Sequence, residues 1–141
     1  MAAKLNEQEL TDLLAQEFPQ TNHMDLSILQ AGDMTATVHL KVTEQHLRPG
    51  ETVSGPTLFW IADLGLYVAV MAMLGPVTQA VTTSMNVNFL RRPPLADLTA
   101  KVRLLKLGRR LAVGEVAIYS DGIEDPVAHM TGTYAIPPEK A

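Results

Sequence analysis

Ser54-Gly-Pro-Thr-Leu-Phe-Trp-Ile-Ala-Asp-Leu-Gly-Leu-Tyr-Val-Ala-Val-Met-Ala-Met-Leu-Gly-Pro76 is the stretch that decides the fold. Ser54 is an N-cap residue type, Pro56 suits a first turn whose N–H groups have no intrahelical partner, and Gly75-Pro76 stops a helix. The spacing predicts one helix from Pro56 to Leu74, apolar on nearly every face. Such a helix either spans a bilayer or is enclosed by its own protein. Asp63 argues for enclosure: it lies beyond the first turn, where a carboxylate would merely complement the dipole, and near the middle of a span it would cost about 2.5–3.5 kcal/mol. No basic cluster flanks the segment. Ala62, Gly65, Ala69 and Ala72 share one stripe, which lets a sheet or a second helix approach closely.

The 141 residues suit a single domain, and 47% hydrophobic against 18% charged residues describes a globular chain with apolar surface to spare for self-association. A net charge of −4 supplies no general attraction to nucleic acid or to an anionic membrane, and neither partner is expected. The absence of cysteine removes disulfides, thiolate catalysis and cysteine-ligated metals. His23, His39, His46 and His129 stand singly without ligand spacing, so no metal site is expected. With no signal-peptide pattern before Asn6, the expected location is cytoplasmic.

Asn6-Glu-Gln-Glu9 forms a capping-box pattern, and Leu10, Leu13, Leu14 and Phe18 give one apolar face before Pro19. This predicts a short amphipathic helix within residues 1–19, laid over the edge or end of a sheet. Asp25 to Leu29 precedes a turn at Ala31-Gly32-Asp33. Met34, Ala36, Val38, Leu40 and Val42 then alternate with Thr35, Thr37, His39 and Lys41 as a half-buried strand, with His39 solvated. From Thr43 to Gly55 the pattern lapses into an irregular loop carrying His46, read as a solvated loop residue, and Arg48. After the helix the pattern is strands throughout. Val81, Thr83, Met85, Val87 and Phe89 are expected to face the core, opposite Thr82, Ser84, Asn86 and Asn88. Alternation at Leu98–Leu104, Leu111–Tyr119 and Val127–Ile136 supplies three more strands, separated by Gly108-Arg109-Arg110 and Asp121-Gly122. Two early strands, one enclosed helix and four antiparallel strands make an α+β chain with a curved sheet wrapped around a helix.

That order resembles the hotdog fold. The run Ser54-Gly55-Pro56-Thr57-Leu58-Phe59-Trp60-Ile61-Ala62-Asp63 resembles the His-Gly-Gly-x-x-x-x-x-x-Asp signature of PaaI-like acyl-CoA thioesterases. Val81-Thr82 and Met85-Asn86-Val87-Asn88-Phe89-Leu90-Arg91-Arg92-Pro93 are similar to the family's next strand and its exit. The resemblance spans residues 25–136 and implies a hydrolase of small to medium acyl- or aryl-CoA thioesters, related to phenylacetate degradation. It implies no cofactor beyond the CoA of the substrate. It also implies a homodimer, paired into a dimer of dimers, with Asp63 from one subunit and Gly55 from the other.

Carried over by position, the resemblance assigns the catalytic carboxylate to Asp63, the amide that polarises the carbonyl to Gly55, and the water-placing hydroxyl to Thr82. The chemistry agrees: hydrolysis needs a base or nucleophile, and an enclosed apolar setting is expected to raise the pKa of Asp63 toward a useful range. It also needs donors aimed at the oxyanion, which helix-start N–H groups supply. Arg48, Ser54, Thr57, Phe59, Trp60, Tyr67, Arg91 and Arg92 are the candidate substrate contacts, the arginines for the CoA phosphates and the aromatic residues for the acyl group. Arg109 and Arg110 are further phosphate candidates. Three positions depart from the family pattern: Ser54 replaces His, Pro56 replaces the second Gly, and Arg48 replaces Asn. Pro56 has no N–H to donate, which leaves Gly55 and Thr57, and Arg48 is able to pair with a phosphate or with Asp63. A non-catalytic acyl-CoA binder is the alternative, and a hydratase is disfavoured because the helix carries no His.

Overall fold

The computed structural model describes residues 2–138, the His23 side chain excepted. Helix α1 (Glu7–Glu17) begins with the expected reciprocal cap, in which Glu9 N–H donates to Asn6 Oδ1 at 2.8 Å and Asn6 N–H donates to Glu9 Oε1 at 3.0 Å. It buries Leu10 and Leu14, and a 3-10 turn over Pro19–His23 leads onward. Strands β1 (Leu26–Gly32) and β2 (Thr35–Leu40) form a hairpin. Its turn holds Asp33 at φ 53° and Met34 at φ 64°, so Met34 belongs to the turn and not to the strand the alternation predicts.

The segment read as an irregular loop is partly ordered. A 3-10 turn at Glu44–His46 precedes a two-residue hairpin, β3 (Leu47–Arg48) and β4 (Thr52–Val53). Helix α2 runs from Gly55 to Leu74, with Ser54 as N-cap and Gly75 at φ 93° closing it. Strands β5 (Val81–Phe89), β6 (Leu98–Leu107), β7 (Leu111–Ser120) and β8 (Ala128–Ala135) follow. The main sheet has six strands in the order β1-β2-β6-β7-β8-β5, every pair antiparallel. Residues 90–97 therefore carry the chain from one edge of the sheet to its interior.

By length and composition α2 would suffice to cross a bilayer, but 13 of its 20 residues are buried against the sheet. Ala36, Val38 and Leu40 of β2, Leu98, Ala100 and Val102 of β6, and Val116 and Ile118 of β7 supply the opposing surface. The small-residue stripe does what its spacing implies. A Cβ on Gly65 would sit 3.0 Å from Val102 Cγ2 and 3.4 Å from Val38 Cγ2, so its absence lets helix and sheet close together.

Strand β5 departs from the expected core face, because it is the sheet edge and is largely exposed along both faces, with Val81 at 58% and Phe89 at 57%. Its register against β8 also shifts between Thr82 and Ser84. Such a bulge reverses the inward-outward alternation on one side of it. Thr82 thus pairs with Tyr134 and joins the inward set of Met85 and Val87, instead of the polar face on which simple alternation puts it.

Candidate active site

The bulge brings Thr82 against the one carboxylate of α2. Thr82 Oγ1 donates to Asp63 Oδ1 at 2.7 Å, and Tyr134 Oη donates to the same oxygen at 2.6 Å. Tyr134 also reaches the Asp63 carbonyl at 3.1 Å. Asp63 Oδ2 accepts no hydrogen bond from the described side chains. One oxygen is thereby locked by two donors while the other stays available at the surface, an arrangement suited to a base or a nucleophile. The setting differs from the enclosed apolar one expected from sequence: Asp63 is half-buried and is solvated by hydroxyls.

Tyr134 is the functional residue that sequence reasoning missed. It is 3% exposed, and its ring stacks on Tyr67 with centroids 6.0 Å apart. Burial, then the Asp63 hydrogen bond, pushes its hydroxyl far above the ordinary phenol range, so it acts as a fixed donor. Its signal was available in the alternation of the last strand, where Ala128, Met130, Gly132 and Tyr134 share the inward face. Tyr67 donates its own hydroxyl to the Thr78 carbonyl at 2.7 Å, and burial raises its pKa as well.

Asp63 opens onto a cavity of about 350 Å³ lined chiefly by Phe18, Trp60, Leu64, Tyr67, Val81 and Thr82. Phe18 and Trp60 also line an adjoining hollow of about 240 Å³ beside Pro56 and Thr57. Phe18, from the end of α1, meets Tyr67 edge-on at 6.3 Å, so the N-terminal helix furnishes a wall of the cavity in addition to covering the sheet. Trp60 lines the cavity. Phe59 does not; it is 41% exposed.

At the start of α2, Ser54 Oγ accepts from Thr57 N–H at 3.3 Å and lies 2.8 Å from Thr57 Oγ1. Thr57 N–H is thus committed to the cap, and Pro56 has none. The Gly55 N–H is the first-turn donor left over, beside the Phe89 ring, which lies 3.5 Å from a Cβ built on Gly55. His46, expected in solvent, is instead 4% exposed beneath this turn. Its carbonyl accepts Ser54 N–H at 2.8 Å and its Nδ1 accepts Thr43 N–H at 2.9 Å, while burial lowers its pKa.

The arginines separate. Arg48 is exposed on the β3–β4 hairpin and forms no ion pair with Asp63. Arg91 Nη1 donates to the Pro126 carbonyl at 2.7 Å and Arg92 Nη2 to the Gly50 carbonyl at 3.1 Å, so both help to tie loops together. His39, read as solvated, meets Asp121 Oδ2 at 3.2 Å and Asp97 Oδ2 at 3.9 Å on the outer face of the sheet. The other carboxylate oxygens accept Thr99 Oγ1–H and Val42 N–H. Their potential ligand atoms lie within 4.8 Å of one another, a proximity that residue spacing did not anticipate; the arrangement is a polar cluster away from Asp63.

A long helix enclosed by an antiparallel sheet, with a hydroxyl-anchored carboxylate at the sheet edge, defines a hotdog-fold hydrolase. The sequence model of the thioesterase superfamily matches residues 50–127, and the chain belongs to that superfamily. It is similar to a Pseudomonas aeruginosa protein named as an esterase, 31% identical over 101 residues that cover 71% of this chain and 74% of that one. Among solved structures it resembles a Silicibacter protein named as a thioesterase, with 43% identity, TM-score 0.87, and coverage of 96% of this chain and 94% of the other. It also resembles the phenylacetic acid degradation protein PaaI of Thermus thermophilus, in a mutant form, with 28% identity, TM-score 0.74, and coverage of 84% and 99%.

Proposed function

We propose that this thioesterase hydrolyses acyl-CoA thioesters of small to medium aliphatic or aryl acids, and that its site is built between two copies of the chain. The observation that carries the reading is the Asp63 carboxylate, anchored through Oδ1 and open through Oδ2 at the mouth of an aromatic-lined cavity. Asp63 either draws a proton from water as it attacks the thioester carbonyl, or attacks that carbon itself to give a mixed anhydride that water then opens. In both routes the C–S bond breaks, the thiol of CoA leaves with a proton, and the free acid remains.

The oxyanion requires a donor about 3 Å away. Gly55 cannot serve the Asp63 of its own chain, because eight residues of helix separate them by about 12 Å along the axis. A second copy removes the difficulty. Gly55, Phe59 and Asp63 lie at i, i+4 and i+8 on one side of α2, and β5 offers an open edge with Val81 and Phe89 exposed. Antiparallel pairing of two β5 edges would bring the Phe89 end of one chain, and with it Gly55, to the Thr82–Asp63 end of the other. Pairing of two such dimers into a tetramer is the expected further assembly.

The test is release of free thiol from a panel of aliphatic and aryl acyl-CoAs, with melting temperature followed in parallel. Thiol release supports the reading. Acyl-CoA that raises the melting temperature without being cleaved would replace it with a binding protein, an outcome favoured by the single Gly55 donor at the helix start.

A further inference from the structure

The N-terminal helix lends one ring to the cavity at Asp63, and that ring stands where the cavity ends. Phe18 and Trp60 line both the hollow of about 350 Å³ onto which Asp63 opens and the hollow of about 240 Å³ beyond it. The two side chains form the partition between these spaces. Asp63, Thr82 and Tyr134 lie on one side of it, and Thr21, Met24 and Pro56 on the other.

The two halves of the partition have separate origins. Trp60 is carried by α2, three residues before Asp63, whereas Phe18 closes α1, ahead of every strand of the sheet. The backbone of Phe18 is pinned on both sides. Its N–H donates to the Leu14 carbonyl at 2.9 Å, and its own carbonyl accepts Thr21 N–H at 3.0 Å and Thr21 Oγ1–H at 2.9 Å. Leu10 and Leu14 hold the same helix in the core, and Glu7 Oε2 accepts Ala31 N–H of β1 at 3.0 Å. The edge-on contact with Tyr67 at 6.3 Å then orients the ring. A ring fixed through its backbone and its edge is a wall.

The space behind that wall, with Met24 and Pro56 in its lining, suits hydrocarbon as the nearer cavity does. A chain stopped at Phe18 is stopped for want of room and not by a change of chemistry.

We infer that Phe18 sets the longest acyl group this protein accepts. The inference rests on the acyl-CoA reading of the site and adds to it a specificity-determining residue that lies outside the sheet and the central helix.

The test is kcat/KM over straight-chain acyl-CoAs from butanoyl to tetradecanoyl, for wild type, Phe18→Ala and Phe18→Leu, with each melting temperature recorded. Wild-type values fall beyond a cut-off length. Phe18→Ala joins the two hollows and moves the cut-off to longer chains, raising the ratio of long-chain to short-chain kcat/KM by at least about tenfold. Phe18→Leu, which keeps a lower wall and the packing of the helix end, moves the ratio the same way by less, and decides the matter if Phe18→Ala does not fold. A ratio is insensitive to a uniform loss of activity through weakened packing. Leu13→Ala, which loosens the same helix away from both hollows, keeps the wild-type ratio. An unchanged ratio in a folded Phe18 variant, or an equal shift in Leu13→Ala, overturns the inference. If wild type cleaves no thioester, the proposed function fails and the wall is read from binding instead. S-alkyl-CoA thioethers of the same lengths, which cannot be hydrolysed, should then show the cut-off in Kd and its displacement in Phe18→Ala; absent binding or an unmoved cut-off overturns the inference separately.

Discussion

Replacing Tyr134 with Phe deletes one oxygen and leaves almost everything else in place. The ring still stacks on Tyr67, and Asp63 keeps the Thr82 hydroxyl at 2.7 Å, so the fold is expected to hold with little change in melting temperature. What is lost is a 2.6 Å O–H···O contact to a carboxylate from a hydroxyl that is 3% exposed as a residue. Hydrogen bonds to charged partners contribute about 1.5–3 kcal/mol, which corresponds to about a 10- to 150-fold fall in kcat when the bond aligns the reacting group. KM should change little, because the oxygen is engaged by Asp63 Oδ1 and the Asp63 carbonyl. The Tyr134 hydroxyl is held protonated, so the loss should be the same across neutral pH, as a positioning role requires and a proton-transfer role does not. The assay is thiol release under saturating substrate at several pH values, with Thr82→Val as the parallel lesion and Thr82→Ser as its rescue. A Tyr134→Phe enzyme within twofold of wild-type kcat would refute the claim that this hydroxyl positions the carboxylate.

Phe89→Asp places a charge on the exposed β5 edge and should convert the proposed dimer to monomers in sedimentation, with loss of turnover if, as proposed, Gly55 and Asp63 meet across two chains. Gly114→Ala would set a Cβ 2.5 Å from Leu66 Cδ1 and 3.2 Å from the Arg103 carbonyl. Overpacking of this kind costs about 1–3 kcal/mol, seen as a fall of about 3–10 °C in melting temperature. His46 is held below its ordinary pKa by burial, so the unfolded chain binds the extra proton first as pH drops. Its contribution is complete above about pH 6.5 and is lost on acidification below that value; His46→Asn should flatten the melting-temperature profile between pH 5 and 7.

The architecture was legible because its signals are local. A capped, all-apolar run with one small-residue stripe has few ways to be buried, and period-2 strands around it supply the sheet. Asp63 stood out for the same reason, as a charge where the pattern allows none. What could not be read depended on tertiary geometry. Alternation puts Thr82 outward, and only the bulge beside it turns it onto Asp63. Tyr134 is 71 residues from Asp63 and looks like an ordinary inward strand residue until β8 is laid beside β5. His46 sits in a segment without periodicity, whose burial follows from the small hairpin folding under the helix start. Arg91 and Arg92 looked free because their partners are carbonyls, which carry no sequence signal.

The most direct test of the account is the acyl-CoA thiol-release assay on Asp63→Asn. The amide can still accept both hydroxyls on its remaining oxygen, so the fold and its melting temperature should be retained. Loss of the base or nucleophile should lower kcat by about 10²–10⁴-fold. Turnover near the wild-type rate in a folded Asp63→Asn protein would contradict the account, because the chemistry would then belong to another residue.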